Sequence, residues 1–520
     1  MEVFMKLNSI NKLCLILFLF SIFGCAAIAS AADSKNKNEK LAGPYFNKGN
    51  TSLQKGKYDD AIINYSKAIE IYPDYQDAYF NRGVVYKEMG RNDEAIADLS
   101  KVIEINPQAS DAFLNRGLIY NQKGLLDEAA SDYSKVIELN PKVSGGVYYS
   151  RGIIYYAKNK NDLAILDFTK TIELDPKSAD AYSSRGYAYC GKGQYDLGIT
   201  DFNKALELNP ASDKVYLGRG IGYLGKQNYE SAITDLTKAL QLDPKSANGY
   251  LFRSQAYLGK RDYDTAISDA GKVLEISPKT AFAYAVRGKA YFAKQNFDLA
   301  ISDFTKTLEL NPKSLDAYYG RATVYNSMQN YDLAISDFTK TLEMSPRSFD
   351  AYYGRATAYN NKQKIDLAIS DFTNALEINP KSADAYFGRA TAYGNKEEKE
   401  SAVSDFTKAL EINPGYVSAY IYLGDYYNGA NQLDLASQNY SKAIELDPKN
   451  GKAYFYRAVV DWKKKDYRAA FDDVNKAKEL GETIDPDFLD RLARDSQPKQ
   501  EPPPRQEPPP KAVKSPKPKK

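Results

Sequence analysis

Histidine is absent from the 520 residues of this chain, which removes His-based triads, His general bases and imidazole metal sites. Cysteine is scarce, with only Cys14, Cys25 and Cys190. Two of these lie in the N-terminal segment, so the chain has no disulfide framework and no Cys cluster for metal or redox chemistry. The formal charge of +3 is small for the length, and it offers no concentrated basic face for nucleic acid. One tryptophan stands against forty-three tyrosines, which points to a single Tyr-bearing pattern copied many times. With 43 % hydrophobic and 26 % charged residues, the balance is that of a soluble, folded chain. Its length exceeds what one ordinary core supports.

The first 32 residues are set apart. Lys6 and Lys12 give a basic start, Leu13 to Phe23 is an apolar run of signal-peptide length, and small residues follow through Ala32. That order reads as a secretory signal over 1–32, with a linker at 33–41. Three fates of this segment stay open. Ile22-Phe23-Gly24-Cys25 resembles a bacterial lipobox, which would make Cys25 the lipidated first residue, although that motif favours a small residue where Phe23 stands. Ala29-Ser30-Ala31 suits ordinary signal peptidase. An uncleaved stretch from Leu13 to Ala32 is about 20 residues, just enough to span a bilayer. The expected location is therefore secreted, periplasmic or envelope-anchored.

Prolines then stand at 73, 107, 141, 176, 210, 244, 278, 312, 346, 380, 414 and 448. Every interval is 34 except the one from Pro141 to Pro176, which is 35 and contains the flexible Ser144-Gly145-Gly146. Framed on these prolines as position 32, the chain holds thirteen repeats over residues 42–484. Position 4 is Tyr in twelve repeats and Phe113 in the other; position 20 is Ala in twelve and Gly198 in the fifth. Position 8 is Gly or Ala except at Ser254. Within one repeat, apolar residues recur at helical spacing in two runs split by a loop such as Gly191-Lys192-Gly193-Gln194-Tyr195. Each repeat is thus an amphipathic helix pair, and a lone pair cannot bury its apolar face.

The pattern resembles the tetratricopeptide repeat family, with its aromatic at 4, small residues at 8 and 20, an aromatic near 24 and proline at 32. The resemblance implies an all-α solenoid, a right-handed superhelix of thirteen helix-turn-helix repeats whose first helices line a concave groove. It also implies a scaffold that binds proteins or peptides, with no enzymatic activity, no cofactor and no metal.

Position 7, aliphatic in most of that family, is Arg in eleven repeats, among them Arg287, Arg321 and Arg355. It shares a helix face with the aromatic at 4 and the Tyr at 11, and that face points into the helix pair. Position 23 on the facing helix is Asp in the same eleven repeats, including Asp303, Asp337 and Asp371. The two repeats without the Arg, at Lys48 and Leu423, carry Asn64 and Asn439 in place of the Asp. The co-occurrence predicts a structural ion pair inside each of the eleven repeats.

What remains for binding is the groove and the two ends. The resemblance places positions 2, 5, 6, 9, 12 and 13 in the groove. Position 6 is Asn47, Asn81 and Asn115 in the first three repeats, similar to the asparagine ladder with which such arrays grip a peptide backbone. Asn326, Asn360 and Asn428 occupy position 12 in repeats nine, ten and twelve, and Tyr319, Tyr353 and Phe387 occupy position 5 in repeats nine to eleven. Amides beside aromatics suit peptides or glycans; a solvated polar face is the plainer reading. The family's clamp for a terminal carboxylate is not expected, because Phe46, Asp111 and Asn115 stand where its basic residues belong. Asp485-Pro486 opens a capping helix, 485–495. The tail, 496–520, repeats Gln-Glu-Pro-Pro-Pro and carries seven Lys or Arg against two Glu, a net +5. It reads as disordered and polyproline-like, suited either to an anionic envelope surface or to a solubilising linker.

The ion-pair reading sets a stability test. Asp303→Ala leaves Arg287 charged without its partner and lowers stability by about 3–5 kcal/mol, whereas Arg287→Leu combined with Asp303→Leu recovers much of the loss. Equal denaturation midpoints for Asp303→Ala and the unaltered chain would refute it.

Overall fold

The computed structural model describes residues 37–497. The signal segment, Cys25 and the tail from Pro498 onward lie outside these residues. Among the described residues every regular element is a helix.

The helices come in pairs on the 34-residue frame. In repeat five they run Ala179–Gly191 and Tyr195–Leu208, and in repeat nine Leu315–Ser327 and Tyr331–Met344. Repeat one departs from this at its start. Its first helix covers 37–54, so residues 37–41, assigned by sequence to a linker, begin that helix.

Each boundary has a local cause. Proline at position 32 cannot continue the second helix. Two residues on, Ser178, Ser314 and Ser348 cap the next first helix, each hydroxyl accepting from a main-chain N–H three residues ahead at 3.3 Å. Between the two helices, position 15 is left-handed in every repeat. Four repeats use Gly there, at 56, 90, 124 and 193, and nine use residues such as Asn159, Gln329 and Gln363. In the turns without glycine the next N–H is likewise tied to the carbonyl of position 11, as from Asn330 to Tyr325 at 2.8 Å.

Small residues at 8 and 20 set how closely the two helices approach. A Cβ on Gly186 would stand 3.1 Å from the carbonyl oxygen of Gly198. Gly198 is the single exception to Ala at position 20, and the reason is Cys190, whose Sγ would lie 2.6 Å from an added Cβ. Around these contacts the core alternates Ala with one large residue per second helix: Tyr65, Tyr133, Phe168, Phe202, Phe304 and Phe338 are all fully buried or nearly so.

The described chain divides into two compact units, one ending at Ser277 with repeats one to seven and one beginning at Pro278 with repeats eight to thirteen. In the second unit the helix Pro486–Asp495 closes the core. Phe488 and Leu492 pack on Ala458, Ala470, Val474 and Ala477, and the Asp485 carboxylate caps the helix by accepting from the Asp487 N–H at 3.0 Å. The Trp462 indole meets Phe488 edge-on and donates to Asp495 at 3.0 Å. Covering the last apolar face in this way is what a repeat array needs at its end.

One polar group in this region is misplaced for stability. Asp461 occupies position 11 of repeat thirteen, where eleven repeats have Tyr, and it is only 8 % exposed. Burial pushes its carboxyl up to about 6; Asp473 adds to the rise and Arg457 opposes it. The folded state therefore holds this proton more tightly than the unfolded chain, so the group's contribution to stability falls as pH rises from about 4 to about 6. Asp461→Asn is neutral at every pH. It should raise the melting midpoint at pH 7 and lose that advantage near pH 4, a comparison read directly by thermal denaturation at the two pH values.

Candidate functional site

The eleven arginines are internal. Arg287 Nε donates to Asp303 Oδ2 at 2.8 Å and its Nη2 to Oδ1 at 2.9 Å. Arg321 grips Asp337 at 2.7 and 3.0 Å, and Arg355 grips Asp371 at 2.7 and 2.9 Å. Such forks are the strong form of a charge-assisted bond. The Asp303 side chain is 7 % exposed and that of Arg287 24 %. The Asp303 hydrogen bond holds the Arg287 guanidinium above its ordinary value despite burial. Tyr284 and Tyr291 flank the cation at 5.5 and 5.9 Å.

A third bond reaches beyond the repeat, which sequence did not suggest. Arg321 Nη1 donates to Thr305 Oγ1, and Arg355 Nη1 to Thr339 Oγ1, both at 3.0 Å. These hydroxyls belong to the second helix of the preceding repeat. Ser66, Ser100, Ser134 and Ser441 serve in the same way for Arg82, Arg116, Arg151 and Arg457.

With the arginines inside, the groove face is left to amides, hydroxyls and aromatics. Asn47 is exposed. Asn81 donates to Asn50 Oδ1 at 2.9 Å, and Asn115 is held at both ends, donating to the Asp111 carbonyl and accepting from Lys87 Nζ. Two of the three amides in this row are thus engaged within the chain. Further along, Asn428 accepts from Lys463 Nζ at 2.7 Å and Asn360 accepts from Asn395 Nδ2 at 3.3 Å. The Asn326 Oδ1 is buried without a hydrogen-bond partner. Tyr319, Tyr353 and Phe387 each lie 5.4–5.9 Å from a core ring of their own repeat, Phe338, Phe372 and Phe406. Tyr319 keeps 37 % of its surface exposed.

A size rule governs this face. Position 24 of one repeat packs against position 6 of the next, and the two residues trade volume. Phe304, Phe338 and Phe372 meet Gly320, Gly354 and Gly388, where an added Cβ would come within 2.4–2.6 Å of the ring. Leu236 is followed by Phe252. The rule fails twice in the second unit: Phe406 meets Tyr422, the two rings stacking at 5.2 Å, and Tyr440 meets Tyr456 at 5.9 Å. Beside the first of these pairs lies a cavity of about 370 Å³. Its walls include Thr391, Asn395, Phe406, Tyr422, Asp425 and Tyr426. Repeat twelve is also a repeat that lacks the arginine, with Leu423 in its place. Asp425 accepts from Tyr440 Oη at 2.6 Å, and burial raises its carboxyl above the usual range.

The first unit has its own concavity, about 500 Å³, lined by Tyr156, Tyr187, Ile221, Leu224 and Phe252 with Cys190 at its floor. Burial pushes the Cys190 thiol up to about 11, so it is not a nucleophile at neutral pH. Among the described residues no group of three or more Cys, Asp or Glu is placed to hold a metal, and no helix is long and apolar enough to cross a membrane.

Family models described as "TPR repeat" and "Tetratricopeptide repeat" match in succession from residue 49 to residue 483. The first covers 49–90 and 152–193; the others include 77–108, 110–143, 179–212, 217–281, 281–314, 315–348, 349–382, 383–416 and 421–483. The chain belongs to the tetratricopeptide repeat family, and it is a protein-interaction scaffold. No curated protein matches its sequence. Similar solved structures include the APC/C hetero-tetramer Cut9-Hcn1, 15 % identical over 88 % of this chain and 96 % of that one, with a TM-score of 0.39. Yeast Tom70 is 20 % identical over 85 % and 99 %, TM-score 0.36. YrrB, described as a TPR protein with an unusual peptide-binding site, is 26 % identical over 35 % and 95 %, TM-score 0.32.

Position 9 decides whether a buried tyrosine at position 24 is satisfied. Tyr65 donates to Asn50 at 2.8 Å and Tyr440 to Asp425 at 2.6 Å. Tyr133 faces a repeat with Leu118 at that place, and its hydroxyl is buried without a partner. Tyr65→Phe and Tyr440→Phe should each cost about 1 kcal/mol, whereas Tyr133→Phe should be neutral or stabilising; denaturant midpoints of the three variants compare these directly.

Proposed function

We propose that the chain holds extended segments of partner proteins on the groove face of repeats nine to twelve, in the assembly of a complex at the cell envelope or outside the cell. The observation that carries this is the regular row on that face. Tyr319, Tyr353 and Phe387 recur 34 residues apart, each followed by a glycine and, at position 9, by Thr323, Thr357 and Thr391. An extended peptide meets there a repeating unit of ring, gap and hydroxyl, and the amides of Asn326, Asn360 and Asn361 stand at its edge. Aromatic rings anchor peptide side chains at low entropic cost, and amides take main-chain groups whatever the sequence. Amides are engaged within the chain at Asn81, Asn115 and Asn360 alike; what makes the first three repeats the weaker candidate is that they lack the ring, glycine and threonine row. The N-terminal segment 1–32, with its basic start and apolar run, supports the location.

Affinity capture with the full chain from its own envelope and culture fractions tests this. Tyr353→Ala with Phe387→Ala should reduce the captured proteins at least about 10-fold while helicity is retained. Asn47→Ala, Asn81→Ala and Asn115→Ala together should change the captured set little. The opposite ranking would move the binding surface to the first repeats.

A further inference from the structure

The first helices of repeats nine to twelve are Leu315–Ser327, Phe349–Asn361, Ala383–Asn395 and Val417–Gly429. None contains a lysine. Their only cations are Arg321, Arg355 and Arg389, each locked into its fork with an aspartate. Their anions are Asp316, Asp350, Asp384 and Asp425. Asp316 pairs with Lys289, but among the described residues Asp350, Asp384 and Asp425 have no cationic partner. Asp384 accepts from the Tyr416 hydroxyl at 3.1 Å, and Phe387 lies between Tyr416 and Tyr422 at 4.9 and 5.7 Å. The first helices of this face therefore present a run of rings with carboxylates beside it. The 370 Å³ cavity opens on this face, with Asp425 and, from the second helix of repeat eleven, Lys399 in its wall.

The same chain carries the complementary chemistry. Residues 498–520 hold nine prolines, seven Lys or Arg and two Glu. Proline-rich chain is recognised in aromatic-lined grooves because its polyproline II form is already ordered and leaves its carbonyls free. Lys511, Lys514 and Lys517, three residues apart, can reach carboxylates that flank the rings. Length permits it: 23 residues at about 3.1 Å each span roughly 70 Å. Helix layers about 8–10 Å apart put the cavity, two repeats back from the cap, roughly 40 Å away.

We infer that the Pro/Lys-rich segment 498–520 folds back onto its own array and occupies the aromatic, carboxylate-bearing face of repeats ten to twelve, its prolines against the rings of Phe387, Tyr416 and Tyr422 and its lysines toward Asp350, Asp384 and Asp425. This rests on the groove reading of the preceding subsection and adds a regulation to it: a partner must displace the tail. Within one chain the effective concentration of the tail is in the millimolar range, so a modest intrinsic affinity keeps the groove closed. Partners that present a longer aromatic-anchored segment, or surfaces that draw the basic tail away, open it.

The test uses a fluorescein-labelled synthetic peptide of residues 498–520 and fluorescence anisotropy. The full chain is compared with a chain ending at Gln497. The shortened chain should bind the peptide saturably, and the full chain at least about 30-fold more weakly. Asp384→Asn with Asp425→Asn in the shortened chain should weaken binding at least about 10-fold. The Asn oxygens still accept from Tyr416 and Tyr440, so the fold is kept, and raising salt should weaken binding in the same direction. Four results would overturn the inference: no binding to the shortened chain, equal binding to both chains, binding indifferent to the two Asn substitutions, or tail-dependent dimers in sedimentation at micromolar chain. Peptide binding to phosphatidylglycerol vesicles without binding to the shortened chain would overturn it as well, assigning the tail to an anionic surface. If the peptide fails while Tyr353→Ala with Phe387→Ala still abolishes capture, the tail inference falls alone. If both fail, the groove reading falls with it.

Discussion

The array depends on where its arginines are placed. A guanidinium has five donors in a flat fork, and in ten repeats that fork spends two on an aspartate of its own repeat and a third on a side-chain oxygen of the preceding one. Arg389 shows the full pattern, reaching Asp405 at 2.7 and 3.0 Å and Thr373 at 3.0 Å. One side chain thus ties three helices. In a structure where each repeat touches only its neighbours, stability is a sum of repeat and interface contributions, and the brace enters both. Apolar residues of equal volume could give comparable stability. What the fork adds is direction: it fixes the angle and register of each helix pair against the last. The braces are missing at Lys48 and Leu423, and the second of these is where the packing loosens and a cavity appears.

Much of this was legible because repetition supplies its own controls. Thirteen aligned repeats show which residues travel together, so the joint loss of Arg and Asp at Leu423 and Asn439 points to contact without any structure. The third bond of the fork was not legible, since position 25 varies among Ser, Thr and Asn, with Gly271 ahead of Arg287, and carries no obvious pattern until the donor is seen. The row Asn47, Asn81 and Asn115 was grouped by position alone. Position cannot tell whether an amide is free, and Asn50 and Lys87 supply partners that only the folded geometry brings within reach. The start of the first helix at residue 37 was missed for a related reason: a repeat frame marks where homology begins, and a helix can be extended by any non-breaking residues before it.

The trade of volume between position 24 and position 6 explains the groove's texture. Phe202, Phe304, Phe338 and Phe372 each face a glycine on the next repeat, and in repeats nine to eleven that glycine lies beside the aromatic at position 5. Core packing and surface relief are thus one constraint seen from two sides. Where Tyr422 stands in place of the glycine, its ring stacks on Phe406, and a cavity lies beside the stack.

The small net charge of the chain conceals a segregated one. Lysines on the second helices are held by glutamates three residues on, as Lys306 by Glu309 and Lys340 by Glu343 at 2.7 Å. Those at the ends of first helices reach aspartates of the preceding repeat, as Lys362 does Asp332 and Lys396 does Asp366. Arginines are consumed by the braces. Exposed pairs of this kind contribute little to stability, but each removes a cation from the field that an approaching partner meets. On the first helices of repeats ten to twelve this leaves Asp350, Asp384 and Asp425 without a cationic partner among the described residues. On the proposed groove reading, selectivity would come from repulsion as much as attraction: these carboxylates oppose acidic segments and favour basic ones.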